Sequence, residues 1–468
     1  MLWYPVWGFI RITRIRYPLF VIRFTIHAVY EMKCFTITTL GCKVNRYESE
    51  AISEQLQNQG WHPIDKGAMA DLCIINTCTV TGKAAMQSRQ AARKVIRNHP
   101  GAIVAVTGCY AQIAPEVFSS MPGVHCVVGN AFKDQIVRLV SSHKDHEPAM
   151  TLVEDLSAPS LFQDLPVIRF GNRTRPFLKI QDGCDAFCAY CIIPHARGRS
   201  RSLKPEIVIK RIRSLKEQGY AEVVLCGINI GRYGQDLTPA TSLSRLMQFI
   251  DSPQGVKRLR VSSIEPTELS EEVIGQIANS QRVCSHLHIP MQSGDDEVLK
   301  SMNRPYTSKS YRNLVHHIVR VMPDVAIGVD VLVGFPGESE RAFENTCCLI
   351  EQLPIAYLHV FPFSMQKQTT AATLRDRVPP EAIKKRCQHV RAIGETKRRK
   401  FYEKVIGSTC EVLIEGKRDR ATGYLKGLTR NYVPVLVKGD DELMHQVIQT
   451  RLTKIEHGRV FGKCLSGQ

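Results

Sequence analysis

The sequence predicts an α/β chain in three parts: an open parallel α/β domain, a partial (βα)6 barrel and a small β-barrel. Three observations carry this. Short apolar strand-like runs alternate with helical stretches through residues 33–145, and the rhythm resumes from Arg175 for six further units. After Gly407 it gives way to short β-like runs. The 468 residues also exceed what one ordinary core organises. Alternating strands and helices build parallel sheets, and a terminal series of short strands builds a small barrel.

Residues 1–31 are apolar but interrupted by Arg11, Arg14, Arg16 and Arg23. A spanning helix needs about 20 largely uncharged residues, and a signal peptide keeps its charges ahead of its apolar stretch. Neither describes this run. The expectation is a non-native or disordered extension with Met32 as the true start, an amphipathic membrane anchor being the alternative. The first domain then covers 32–148. Its strands are expected at Lys33–Thr39, Asp71–Asn76, Ala102–Thr107 and Val124–Val128, its helices at Tyr47–Gln59 and Ala84–Asn98. Residues 146–174 read as a polar linker. The central domain covers 149–400, with strands at Phe177–Ile180, Glu222–Cys226, Arg258–Ser262, His286–Ile289, Val325–Val331 and Tyr357–Phe361. The third covers 401–468, with strands at Thr409–Glu415, Gly423–Leu428, Val433–Lys438 and Gln446–Ile455.

The charge is +18 at pH 7. Such a surplus favours a polyanionic partner, nucleic acid first, although a merely solubilising basic surface would look the same. Sixteen cysteines in a chain this long argue against a secreted disulfide scaffold. A reducing cytoplasm, with thiolates used for metal, is the expectation. No membrane association is expected.

The most specific motif is Cys184-Asp-Ala-Phe-Cys188-Ala-Tyr-Cys191, a C-x3-C-x2-C loop after an expected strand. Three thiolates on one loop can hold three irons of a cubane cluster and leave the fourth open to a chelating substrate such as S-adenosylmethionine. A Cys3His zinc site completed by His195 is the competing reading. A second trio, Cys42, Cys78 and Cys109, lies just past three expected strands. In an open parallel sheet such strand ends share a crevice, so the three can converge on a second cluster. Ordinary buried cysteines are the alternative, and the remaining ten cysteines are read that way.

The C-x3-C-x2-C loop resembles the signature of the radical S-adenosylmethionine superfamily. The three-part layout from Lys33 onward resembles its methylthiotransferase family. TLGCKVNRYESE and INTCTVTGKAA look like the branch acting on N6-threonylcarbamoyladenosine in tRNA. Further matching stretches are YCIIPHARGRSRS, VLCGINIGRYGQD, RVSSIEP, HLHIPMQSGDDEVLKSMNR and GVDVLVGFPGE. The last part is similar to a TRAM RNA-binding domain. The chain departs from the family at Gln366 and Gln368, which replace the usual Arg and Gly, and at His195, where Tyr is common.

The resemblance implies two [4Fe-4S] clusters and S-adenosylmethionine. One cluster, on Cys184, Cys188 and Cys191, would cleave that cofactor to a 5′-deoxyadenosyl radical, which takes the hydrogen from adenosine C2. The other, on Cys42, Cys78 and Cys109, would carry the sulfur. The cofactor performs the hard step and the protein supplies placement. The expected product is 2-methylthio-N6-threonylcarbamoyladenosine at position 37, next to the anticodon. Isopentenyladenosine in tRNA or a ribosomal protein are alternative targets. A non-catalytic iron–sulfur RNA-binding or redox-sensing protein is the alternative of another class. A flavodoxin- or ferredoxin-like electron donor and a sulfur donor are further expected partners. Cofactor contacts are expected at the strand ends: Gly227, Asn229, Ser262, Ser263, Glu265, Gln292, Asp330 and Gly334. Each could equally shape a loop or cap a helix. Arg197, Arg199 and Arg201 alternate after the loop and would face one way if extended. With Lys397, Arg398, Arg399 and Lys400 they are the expected RNA contacts, a solvated or internally paired charge run being the alternative.

Overall fold

The computed structural model describes residues 33–64, 67–142, 149–158, 161–171, 173–252 and 255–465. The expectation for residues 1–31 lies outside the described residues.

The first part is one six-stranded sheet. Its strands are β1 (Cys34–Thr39), β2 (His62–Pro63), β3 (Leu72–Thr77), β4 (Ile103–Gly108), β5 (Cys126–Val128) and β6 (Met150–Leu152), in the order β2-β1-β3-β4-β5-β6. Every pairing is parallel. Helices cover both faces, so β3 is buried along its whole length, as a two-sided parallel sheet requires. Two helices lead out of the sheet's C-terminal edge, α1 (Lys43–Asn58) and α2 (Gly82–Asn98). α1 begins four residues before the expected Tyr47, because the chain passes from an extended Cys42 straight into helix. The segment read as linker contains β6. Three residues are too few to show a period, and only pairing with β5 makes them a strand.

The central strands are β7 (Phe177–Lys179), β8 (Gln181–Asp182), β9 (Arg201–Ser202), β10 (Glu222–Cys226), β11 (Arg258–Val261), β12 (His286–His288), β13 (Ala326–Val333) and β14 (Tyr357–Pro362). Two parallel ladders, β7-β10-β11 and β12-β13-β14, meet through a bridge between Leu259 and Val283, giving the partial six-stranded barrel. β8 and β9 form a short antiparallel pair at its mouth. One apolar core fills the wall between strands and outer helices, with Leu178, Val223, Leu259, Leu287 and Val329 among its members. Lys179, Glu222, Arg258 and Arg260 are buried charges within strands.

A 26-residue helix, Pro380–Val405, runs across the boundary expected at 400/401. β15 (Thr409–Arg418), β16 (Leu425–Thr429), β17 (Pro434–Val437), β18 (Val447–Glu456) and β19 (Arg459–Cys464) then close a barrel. β19 was not expected. Its signal is His457-Gly458, whose φ values of 48° and 71° make the tight turn into it. The small barrel seals the strand-start end of the central one. Arg258 donates to Leu428 O at 3.1 Å and Arg260 to Arg430 O at 3.0 Å. Tyr432 stacks on His286 at 4.2 Å between ring centroids. The opposite end, at the strand C-termini, stays open.

Candidate functional site

Parallel pairing sets the first trio. Thr77 of β3 pairs with Gly108 of β4, so Cys78 and Cys109 leave the sheet side by side. Cys42 follows the adjacent β1, and a methyl group placed on Gly41 would lie 2.9 Å from Cys78 Sγ. The three thiols sense one another. Burial pushes Cys78 up to about 11, and Cys109 and Cys42 add to that push. Cys42 is exposed at the sheet edge. Surrounding protein still raises its pKa, against the pull of Arg197. Asn45 Oδ1 lies 4.0 Å from Cys42 Sγ, and Asn130 Nδ2 lies 3.9 Å from Cys109 Sγ.

The second trio sits on the loop between β8 and β9. Cys184 Sγ accepts from the Ala186 N–H at 3.5 Å, and Cys188 Sγ accepts from Arg304 Nη1 at 3.2 Å. Burial raises Cys184 to about 11 and Cys191 further still. All three are partly accessible. His195 is exposed on a short helix past the loop.

Between the trios lies a buried network centred on Glu48 of α1. Glu48 pairs with Lys133, with Lys179 at 3.2 Å and with Arg197 at 2.9 Å. Arg197 also reaches Asp182 at 2.9 Å and Asn45 Oδ1 at 2.5 Å. Asp182 leads into the Cys184 loop and Asn45 lies by Cys42, so one guanidinium ties both sites together. Burial alone would raise Glu48, but Arg197, Lys133 and Lys179 hold it well below the carboxylate range.

The structure therefore corrects two expected RNA contacts. Arg197 is fully buried and Arg201 is 5% exposed. The chain is helical over Ile193–Arg197 and then turns at Gly198, so the presumed extended alternation does not exist. Arg199 remains outside, over the Phe187 ring at 5.1 Å and 3.5 Å from Asp185. Lys397 donates to the carbonyls of Glu351 and Leu353. Arg398 and Arg399 pair within their helix with Glu395 and Glu403. Lys400 is exposed.

The expected cofactor contacts divide. Asn229 and Ser262 are buried at the mouth, and Asn229 Oδ1 and Ser262 Oγ have no partner. Glu268, which accepts from Asn229 Nδ2 at 2.9 Å, likewise leaves Oε2 unpartnered. Glu265 pairs with Arg304, the donor to Cys188. Ser263 bonds His288 Nδ1 at 2.5 Å, and His288 and His359 flank Asp330 at 2.9 and 3.2 Å. Burial pushes Asp330 up, yet these two imidazoles bring it down to about 2. Gln292 acts through its backbone, bridging Asp330 O and Leu332 N–H with φ at 65°. Two glycines stand in crowded positions. A Cβ on Gly227 would meet Gln181 Oε1 at 2.7 Å, the acceptor for the N–H groups of Ile228 and Asn229. A Cβ on Gly334, at φ +85°, would meet Ile383 at 2.4 Å. The loop after β14 docks on the first domain: Gln366 Nε2 donates to Thr79 O at 2.7 Å, and Ser364 accepts from Gly82 N–H. Gln368 lines a cavity with Gln112, His195 and Arg199.

Glu48, Lys133, Lys179, Gln181 and Arg304 were not singled out in the sequence. The available signal was a charge inside an apolar run, as at Lys179, or an acidic residue in RYESE shortly after Cys42.

Two family profiles match the chain: the uncharacterized protein family UPF0004 over residues 34–129 and the radical SAM superfamily over 178–350. The threonylcarbamoyladenosine tRNA methylthiotransferase MtaB of Bacillus subtilis is 36% identical, over 89% of this chain and 93% of its own. That of Aquifex aeolicus is 33% identical, over 86% and 97%. The tRNA-2-methylthio-N(6)-dimethylallyladenosine synthase of Moorella thermoacetica is 31% identical, over 93% and 99%. Among solved structures, the radical S-adenosylmethionine methyltransferase TsrM of Kitasatospora setae, with cobalamin and a [4Fe-4S] cluster bound, superposes with a TM-score of 0.52. It covers 72% of this chain and 77% of its own at 15% identity, a likeness of fold alone. An open six-stranded barrel with a three-cysteine loop at its mouth is the architecture of a radical S-adenosylmethionine enzyme. The chain belongs to the methylthiotransferase family of these enzymes, and within it to the MtaB type.

The residues present fit the family's cofactors, two [4Fe-4S] clusters and S-adenosylmethionine. Arg197 Nε is buried without a partner beside the first trio, a donor suited to an anionic cluster. The unpartnered oxygens of Asn229, Ser262 and Glu268 suit the hydroxyls and amine of a nucleoside–amino-acid cofactor.

Proposed function

We propose that this protein attaches a methylthio group to C2 of N6-threonylcarbamoyladenosine in tRNA, adjacent to the anticodon, taking electrons from a flavodoxin- or ferredoxin-like donor and sulfur from a separate donor, in the cytoplasm. The single observation that carries the reading is the pairing of two cysteine trios across the Glu48–Arg197–Asp182 network, which supports one site that would supply sulfur beside one that would generate the radical. The cluster loop would be Cys184, Cys188 and Cys191, and the first-domain ligands Cys42, Cys78 and Cys109. When loaded, the clusters and S-adenosylmethionine supply hydrogen abstraction and the sulfur.

The chain's own residues position these parts. Arg304 donates to Cys188 Sγ while tied to Glu265, so it fixes a ligand sulfur and a mouth carboxylate together. Asn229, Ser262 and Glu268 supply polar atoms for the cofactor. Gln181 folds the Gly227–Asn229 turn toward the loop. Tyr432, His286 and the small barrel close the far end of the lumen against water. Among the described residues no helix is long and apolar enough to cross a membrane.

Nucleoside mass spectrometry of tRNA from a strain lacking the gene tests the reading. Loss of 2-methylthio-N6-threonylcarbamoyladenosine is expected. Unchanged levels, with no second gene of this type, would overturn it, and loss of the dimethylallyl derivative would reassign the substrate. Anaerobic reconstitution should give about eight irons per chain, as two cubanes imply, together with reductive cleavage of S-adenosylmethionine.

A further inference from the structure

Several cations around the cleft are paired with carboxylates. Lys179 and Arg197 pair with Glu48, Arg260 with Glu222, Arg175 with Glu415 and Arg304 with Glu265. Lys43 has no ion-pair or hydrogen-bond partner among the described residues. It is the first residue of α1, next to Cys42, and keeps contact with solvent although protein crowds its ammonium. Its ammonium lies within electrostatic reach of Cys42 on one side and of Cys226, Arg260 and Arg175 in the barrel lumen on the other. An ammonium among like charges, at the positive end of a 16-residue helix, is placed for an anion that the protein does not itself provide.

The proposed substrate brings such a group. N6-threonylcarbamoyladenosine carries a free threonine carboxylate, which the dimethylallyl substituent lacks. N6 and C2 flank N1 on one edge of the purine. A base held with C2 toward the first cysteine trio therefore presents its N6 substituent beside that trio, where Lys43 stands. Resting on the functional reading above, we propose that Lys43 is a specificity-determining residue whose ammonium receives the threonine carboxylate of the substrate. A site built around an ionic contact rejects the analogue without it far better than an apolar pocket rejects a small change in shape.

The test is a two-by-two kinetic cycle with the anaerobically reconstituted holoenzyme. The substrates are synthetic anticodon stem-loops carrying N6-threonylcarbamoyladenosine as the free acid or as its methylamide. The proteins are wild type and Lys43→Met, and methylthiolated product and S-adenosylmethionine cleavage are both measured. Wild type should lose about 10- to 100-fold in kcat/KM on the amide, mostly through KM, the range expected for a hydrogen bond to a charged group. Lys43→Met should show the same loss on the acid and no further loss on the amide. Lys43→Arg should keep most of the preference. The wild-type comparison of acid with amide stands even if the variant assembles its clusters poorly. Equal activity of wild type on both substrates, an unchanged KM in Lys43→Met, or multiplying losses would overturn the assignment while leaving the functional reading intact. So would a loss confined to the KM for S-adenosylmethionine. Wild-type turnover of a dimethylallyladenosine stem-loop, with none of the acid, would overturn the functional reading and this inference together.

Discussion

Two buried glutamates sit at opposite ends of the central barrel and do different work. Glu222, at the sealed end, pairs with Arg258 at 2.8 Å and Arg260 at 2.9 Å, with Arg175 at 3.9 Å. These arginines spend further donors on the carbonyls of Leu428, Thr429 and Arg430 and on Glu415. Glu48, at the open end, faces Lys133, Lys179 and Arg197, and Asp182 is the second anion, with Arg201 3.7 Å away. Four cations thus meet two carboxylates there, and Arg197 Nε has no partner. The sealed end sets three arginines against Glu222 and Glu415, leaves Arg258 Nη1 without a partner, and fixes the small barrel. The open end keeps a positive excess beside three cysteines, a balance that an anionic thiolate cluster would complete. Buried charge in the first case is a seam; in the second it is half of a binding site.

Removing the central anion of each network tests that contrast. Glu48→Gln strands three buried cations and should cost about 3–5 kcal/mol, read from denaturant unfolding of the apo protein. It should also lower iron loading at the first cysteine trio. Glu222→Gln should cost about 3 kcal/mol by the same mechanism and retain about eight irons per chain, with limited proteolysis releasing the small barrel first. Equal iron loss in both variants would erase the distinction.

Acid titration gives a smaller effect. Asp330 sits between the two networks and is held by imidazoles rather than by guanidinium. Its folded pKa is about 2, below an unfolded value near 3.9. Its contribution is therefore present above about pH 4 and lost as pH falls through about 2, roughly 2–3 kcal/mol in all. Asp330→Asn should flatten that part of the stability–pH curve. The smallest effect is expected on the outer face of the small barrel, where Lys454 and Arg459 line a groove with Tyr424 and Phe461. Neutralising either should reduce the salt slope of tRNA binding by roughly 1 without altering iron content.

The two cysteine trios were legible because each cysteine follows a recognisable strand or stands in a tight local motif. Asn229 and Ser262 were legible as strand-end residues for the same reason. Arg197 and Arg201 were misread, because a surface run and a buried run of arginines are written alike until the partner is known. For Arg197 that partner is Glu48, 149 residues earlier in the chain. Gly227 and Gly334 were placed at the right end of the barrel, but the crowding by Gln181 and Ile383 at these positions is tertiary and was not legible.

By itself, then, the sequence determined the order of the main strands and helices, the two sets of three thiols and the resemblance that names their chemistry. These follow from local periodicity and short spacing, both written within a few residues of one another. Only the tertiary structure decided which charges face water, which end of the barrel is closed, and that Lys43 stands without a carboxylate. Electrostatic balance is a sum over neighbours in space, and those neighbours come from distant parts of the chain.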